Sequence, residues 1–161
     1  MADVLERDDI IVIETNLDNV TGELLGWLMD RLLAAGALDV SYTAMQMKKN
    51  RPATLVRVIA HPADAERLAG VLVRETPTLG VRLMPMQRLI AARRQETLQS
   101  PYGPVAVKLK LLAGQVVSAA PEYADCQRLA LATGLPLLDI TTQLNEWLRG
   151  HFHLSQDAGG S

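Results

Sequence analysis

Over its first ninety residues the chain alternates β-rich and helix-periodic runs in a single order, and that order leaves few folds open. Residues 10–14, Ile-Ile-Val-Ile-Glu, are short and β-branched, which predicts a central strand. Thr21 is placed to cap a helix, with Glu23 near its positive end. Leu25, Leu28, Met29, Leu32 and Leu33 then recur at helical spacing, and Gly36 suits a left-handed helix end. Residues 38–43 alternate with period two and predict a second strand. The loop 48–52 turns the chain into a third strand over 54–60, which His61-Pro62 stops. A second helix runs from Asp64 through Leu68, Val71 and Leu72 to Glu75, closed by Pro77 and Gly80. Residues 81–89 form a fourth extended segment, in which Pro85 requires an edge position or a bulge. The order β-α-β-β-α-β is the split-βαβ, ferredoxin-like arrangement, a four-stranded sheet with both helices on one face.

The remainder reads as a hairpin, with strands at 95–99 and 105–112 around Ser100-Pro101-Tyr102-Gly103-Pro104, extending the first sheet or building a small one of its own. Residues 113–120 read as a loop, and two helices follow at 121–133 and 136–149, separated by Gly134. The expected fold class is therefore α+β. A ferredoxin-like domain occupies 1–93, a β-hairpin plus a small C-terminal two-helix subdomain occupies 94–150, and a disordered tail 151–161, ending in the small polar run Ser155 to Ser161.

Composition narrows the function. At 161 residues, 48% hydrophobic and 21% charged, the chain has the balance of a soluble globular protein, and 4% aromatics make its core aliphatic. A net charge of −2 speaks against nucleic-acid binding driven by bulk electrostatics, so any anion site has to be a local cluster. No apolar run approaches the ~20 residues needed to cross a bilayer, and the opening residues are too acidic for a secretory signal. One cysteine, Cys126, cannot form an internal disulfide, which fits a reducing cytoplasm. Walker loops, Gly-x-Ser-x-Gly elbows, His-Glu-x-x-His motifs and Cys-x-x-Cys pairs are all absent.

Three polar clusters remain as candidates. Lys48, Lys49 and Arg51 form the densest cationic group, in a hairpin loop where they are either solvated charge or phosphate ligands. Glu14 and Asp18 flank a strand's C-terminal end, where Asp18, with Asn16 and Asn19, is either a turn former or a ligand. Glu122 and Asp125 lie three apart after Pro121, so both would project from one face of a helix start. They either complement the helix dipole or hold a divalent cation or a ribose. Lys108 and Lys110 share one strand face, and Arg88, Arg93 and Arg94 add charge at the sheet's end. His61, His151 and His153 have no metal-site spacing, and Cys126 falls on an apolar helix side.

Five short stretches carry a resemblance: Glu14-Thr15-Asn16-Leu17-Asp18, Gly36-Ala37-Leu38-Asp39-Val40, Met47-Lys48-Lys49-Asn50-Arg51-Pro52, Tyr102-Gly103-Pro104-Val105-Ala106-Val107-Lys108 and Pro121-Glu122-Tyr123-Ala124-Asp125-Cys126. In this order, over residues 10–151, the chain resembles the C-terminal part of the LarC family, nickel-insertion proteins that mature the nickel-pincer cofactor of lactate racemase. Two departures are visible: glycine is expected where Asn50 stands, and often proline where Gly22 stands. The resemblance implies a CTP-dependent cyclometallase of the lyase class. Such an enzyme inserts Ni²⁺ into pyridinium-3,5-bisthiocarboxylic acid mononucleotide as CTP is hydrolysed. It further implies a nucleotide site with Lys48, Lys49, Arg51, Lys108 and Tyr102, and Mg²⁺ or Mn²⁺ held by carboxylates among Glu14, Asp18, Glu122 and Asp125. Family members carry a further N-terminal domain that this chain lacks, so a separated C-terminal domain is expected, cut from a longer protein or made by a split gene. Nickel delivery would then need the missing domain. Exposed sheet edges suit a homo-oligomer, with a trimer or hexamer as the expectation although the sequence fixes no number, and the expected location is the cytoplasm. The rival expectation is a non-catalytic ferredoxin-like domain that senses a nucleotide or metabolite.

Overall fold

The computed structural model describes residues 5–154. They divide into two compact units, one spanning Arg7–Arg88 and the other built chiefly from Leu89 onward.

The first unit contains strand β1 (Glu6–Leu17), helix α1 (Gly22–Ala34), strands β2 (Asp39–Met47) and β3 (Arg51–Ala60), helix α2 (Ala65–Glu75) and strand β4 (Arg82–Ile90). Its sheet has the order β2-β3-β1-β4, with β3 antiparallel to both β1 and β2. This is the ferredoxin-like arrangement, with β1 central as its β-branched run predicts and the proline-bearing β4 at an edge. Local signals set the helix ends. The Thr21 hydroxyl accepts the Leu24 N–H at 3.2 Å at the start of α1. At its end Gly36 takes φ +90°, and the N–H groups of Gly36 and Ala37 return to the carbonyls of Leu33 and Leu32. Residues of odd number on β1 and even number on β3 face the helices, so Ile13, Leu17, Val56 and Val58 pack with Leu28, Leu32, Leu68 and Leu72 in a closed aliphatic core. Strand side chains alternate, so Glu14, Arg57 and Ser41 line up on the opposite, open face.

The second unit holds strands β5 (Ala92–Ser100), β6 (Gly103–Leu112) and β7 (Gln115–Pro121), then helices α3 (Tyr123–Thr133) and α4 (Leu137–His151). Its sheet is separate, three-stranded and antiparallel, in the order β5-β6-β7. The loop expected over 113–120 is thus mostly a strand. Ala113 and Gly114, at φ +49° and +77°, make a two-residue hairpin turn that joins β7 to β6. Pro121 ends β7 instead of opening α3, and Glu122 takes the cap position of that helix. Val105, Val107 and Leu109 pack against Cys126, Leu129, Ile140, Leu144 and Leu148, leaving Lys108 and Lys110 on the open face. Of the tail expected over 151–161, His151 closes α4 and Phe152 packs against this core, while residues 155–161 lie outside the described residues.

Candidate functional site

On the open face of the four-stranded sheet, Glu14 is the centre of a charge cluster. It sits on the central strand and is 8% exposed. The Arg57 guanidinium, directly across the ladder, donates to its Oε1 through Nε at 2.7 Å, and Nη2 stands 2.7 Å from the same oxygen as an ion pair. Arg82 of β4 stands 3.6 Å from Oε2 and donates to Asn16 Oδ1 at 2.7 Å. One largely buried carboxylate thus aligns two half-exposed guanidiniums, leaving a net positive charge.

About 13 Å further along the same strand direction, by the strand rise of ~3.3 Å per residue, Asp18 pairs with Arg51 at 3.3 Å. Arg51 opens β3, directly after the hairpin turn Lys48-Lys49-Asn50, whose Lys49 and Asn50 both take left-handed conformations, at φ +63° and +56°. Asn50 thus occupies the conformation a glycine would hold there. Lys48 and Lys49 are exposed, with no ion-pair partner among the described residues. The structure therefore brings Arg51 and Asp18 together beside two free lysines, whereas Glu14 is taken up by Arg57 and Arg82. Neither of those arginines stands out in the sequence. Their link to Glu14 depends on non-local strand register, and the only local hint is a charge inside an apolar strand.

In the second unit, Lys108 projects from β6 with its side chain 68% exposed and pairs with Glu122 at 2.9 Å. Glu122 and Asp125 do not act as a matched pair. Asp125 turns back on β6, where Oδ2 accepts the Ala106 N–H at 2.7 Å and Oδ1 accepts from Arg128 at 2.8 and 3.1 Å. The Ala106 carbonyl in turn accepts the Glu122 N–H at 2.8 Å. The backbone hydrogen bond from Ala106, then the Arg128 bonds, hold the Asp125 carboxyl below its ordinary range. Tyr102 lies partly buried against the core, and its hydroxyl donates to Gln143 Oε1. Cys126 is buried. Among the described residues, no three His, Cys, Asp or Glu side chains gather as a protein-only metal site requires. Likewise, no helix there is long and apolar enough to cross a membrane.

Two α+β units, the first ferredoxin-like with an arginine-rich open face, define the class of protein to which this architecture belongs. The nickel insertion protein family matches residues 1–141, and the chain belongs to that family. Curated relatives with nickel-insertion names include one from Citrifermentans bemidjiense, 48% identical over 134 residues, covering 83% of this chain and 34% of the relative. Another, from Methanothrix thermoacetophila, is 42% identical over 137 residues, covering 84% of this chain and 35% of the relative. The chain thus spans about a third of the length of the curated relatives it matches. Among solved structures it is similar to LarC2, the C-terminal domain of a cyclometallase involved in the synthesis of the NPN cofactor of lactate racemase, in its apo form. That match has a TM-score of 0.78 and 42% identity, covering 85% of this chain and 94% of LarC2. A protein from Methanopyrus kandleri shares the fold, with a TM-score of 0.68 at 24% identity over 90% of each chain.

Proposed function

We propose that this chain is the C-terminal, CTP-binding part of a CTP-dependent nickel-insertion enzyme, a cyclometallase that matures the nickel-pincer cofactor of lactate racemase. The observation that carries the reading is the hairpin 48–51, which offers three cations within four residues beside Asp18. A tight loop that holds Lys49 in a left-handed conformation carries a backbone cost of about 1–2 kcal/mol, and such strain collects where a ligand is gripped. Similarity to LarC2 supports a part in NPN cofactor synthesis, and CTP is the ligand that the sequence resemblance implies.

In this reading Arg51 and the two lysines take the triphosphate oxygens, the arginine in a forked manner and the lysines as point charges. Asp18, with its side chain 32% exposed and a single ion-pair partner among the described residues, is the carboxylate best placed to reach a phosphate-bound Mg²⁺ or Mn²⁺, which keeps oxygen ligands from the nucleotide and water. Glu14 orients Arg57 and Arg82. In the second unit Lys108 is the exposed cation and Glu122 its countercharge, while Asp125 and Tyr102 position the strand that carries Lys108. Nickel is cargo. The pyridinium-3,5-bisthiocarboxylic acid mononucleotide contributes the carbon and sulfur ligands, and an N-terminal domain delivers the metal. Edge strand β4 exposes Leu83, Met84 and Met86, which supports self-association; a trimer or hexamer in the cytoplasm completes the proposal.

Calorimetry with CTP, with and without Mn²⁺ and against ATP, tests the reading. Selective, metal-dependent CTP binding is expected; indifference to every nucleotide removes it. Binding of CTP without support of nickel insertion when the N-terminal domain is added would leave the sensing domain in its place.

A further inference from the structure

The open face of the three-stranded sheet carries a charge arrangement that folding alone does not favour. Arg93 on β5 and Ser118 on β7 stand directly opposite Lys110 of β6, one on either side. Directly opposed residues hold their Cβ atoms about 5 Å apart on one face, and like charges placed so destabilise a sheet. Glu122 is already engaged by Lys108 at 2.9 Å, and Glu96, which its register with Val107 puts on the other face of the sheet, by Arg94 at 2.6 Å. Arg93 and Lys110 have no ion-pair partner among the described residues, and both are exposed. Lysine is often placed on an edge strand to block unwanted pairing, but β6 is the central strand, so that use does not account for Lys110. The same three residues border an open concavity of about 440 Å³, whose walls also include Ile90, Lys108 and Ala120.

We propose that Arg93, Lys110 and Ser118 bind the phosphate group of a small phosphate ester. The guanidinium offers a fork of N–H donors, the ammonium a compact charge and the hydroxyl a neutral donor, a set that matches a tetrahedral dianion. Its two negative charges offset the two opposed cations, and the ester's organic part lies along Ile90 and Ala120. None of the three residues belongs to the nucleotide set proposed above, although Lys108 of that set borders the same concavity, and the phosphate test needs no CTP.

The probes are inorganic phosphate and glycerol 3-phosphate, each titrated into ¹⁵N-labelled protein against sodium chloride at matched ionic strength. Saturable shifts centred on the amides of residues 93, 110 and 118 are expected with both, the ester binding more tightly than phosphate. R93Q and K110Q each abolish those shifts. Each also raises the melting temperature of the ligand-free protein by about 1–3 °C, because a like-charge contact is removed. K49A, in the hairpin of the other unit, retains the shifts at residues 93, 110 and 118. Shifts no larger than those from chloride overturn the proposal. So do shifts that survive both R93Q and K110Q, or a response lost in K49A, which would assign the phosphate to the hairpin. Should either glutamine variant fail to fold, the wild-type titration and the other variant decide.

Discussion

Glu14 and Arg57 face each other across the β1–β3 ladder, and both Nε and Nη2 of Arg57 reach the same oxygen, Oε1, at 2.7 Å. The pair is asymmetric: the Glu14 side chain is 11% exposed and that of Arg57 48%. Removing the arginine leaves a mostly buried carboxylate whose remaining cationic neighbour among the described residues is Arg82, whereas neutralising the glutamate leaves guanidiniums that water can still solvate.

Arg57→Met is therefore expected to cost about 2–3 kcal/mol of stability and Glu14→Gln about 1 kcal/mol. Urea denaturation of the two variants checks the order. Equal losses would show that the carboxylate is better solvated than its burial implies.

Lys49 separates stability from ligand binding at one position. At φ +63° its backbone suits glycine. Lys49→Gly is expected to raise stability by about 1 kcal/mol while weakening CTP binding, and Lys49→Ala to weaken binding without that gain. Arg51→Ala should reduce CTP affinity at an unchanged melting temperature. Thermal melts paired with CTP calorimetry read both effects, and unaltered affinity in all three variants returns the hairpin to ordinary surface charge.

The first unit was legible because its signals are local. Thr21 caps α1, Gly36 ends it, Pro85 marks an edge strand, and the apolar periods of each run match the faces they bury. Strand β7 was not, for two reasons. Its turn places Ala113, a residue without turn preference, in a left-handed conformation, and Ser118-Ala119-Ala120 has little β propensity, so pairing with β6 decides its structure. Pro121 misleads because a missing N–H suits both the end of an edge strand and the first turn of a helix. In the candidate site the hairpin cations were legible as a run. The roles of Arg57 and Arg82 depend on which strands pair, and Asp125 looks like a free carboxylate until β6 brings the Ala106 N–H to it.

Asp125 links this geometry to pH. Its carboxyl titrates below the ordinary aspartate value of 3.8 because Ala106 and Arg128 donate to the charged form. A depressed folded-state value contributes stability that is present above the unfolded value and is lost as pH falls from about 3.8 through the folded one. Asp125→Asn is therefore expected to be less stable than wild type at pH 6, with the difference narrowing below about pH 3.8. Denaturation midpoints across that range test the expectation, and carboxyl-carbon NMR of the native protein reads the depressed value directly. A midpoint at or above 3.8 would contradict the hydrogen-bonding account.

The β6–β7 turn offers the simplest stability test. Two residues, Ala113 and Gly114, close the hairpin between Leu112 and Gln115, and both take positive φ. A side chain at φ +49° places Cβ close to the neighbouring backbone, a strain glycine avoids and asparagine tolerates. Ala113→Gly also makes the unfolded chain more flexible, which offsets part of the gain. Ala113→Asn keeps that flexibility low and supplies the Asn-Gly pair that such turns favour. The expected gains are about 0.5 kcal/mol for glycine and about 1 kcal/mol for asparagine, read as increases in the urea midpoint at constant slope. If both variants are destabilised, residues 113 and 114 do not hold this turn in solution, and the pairing of β7 with β6 would be wrong with it.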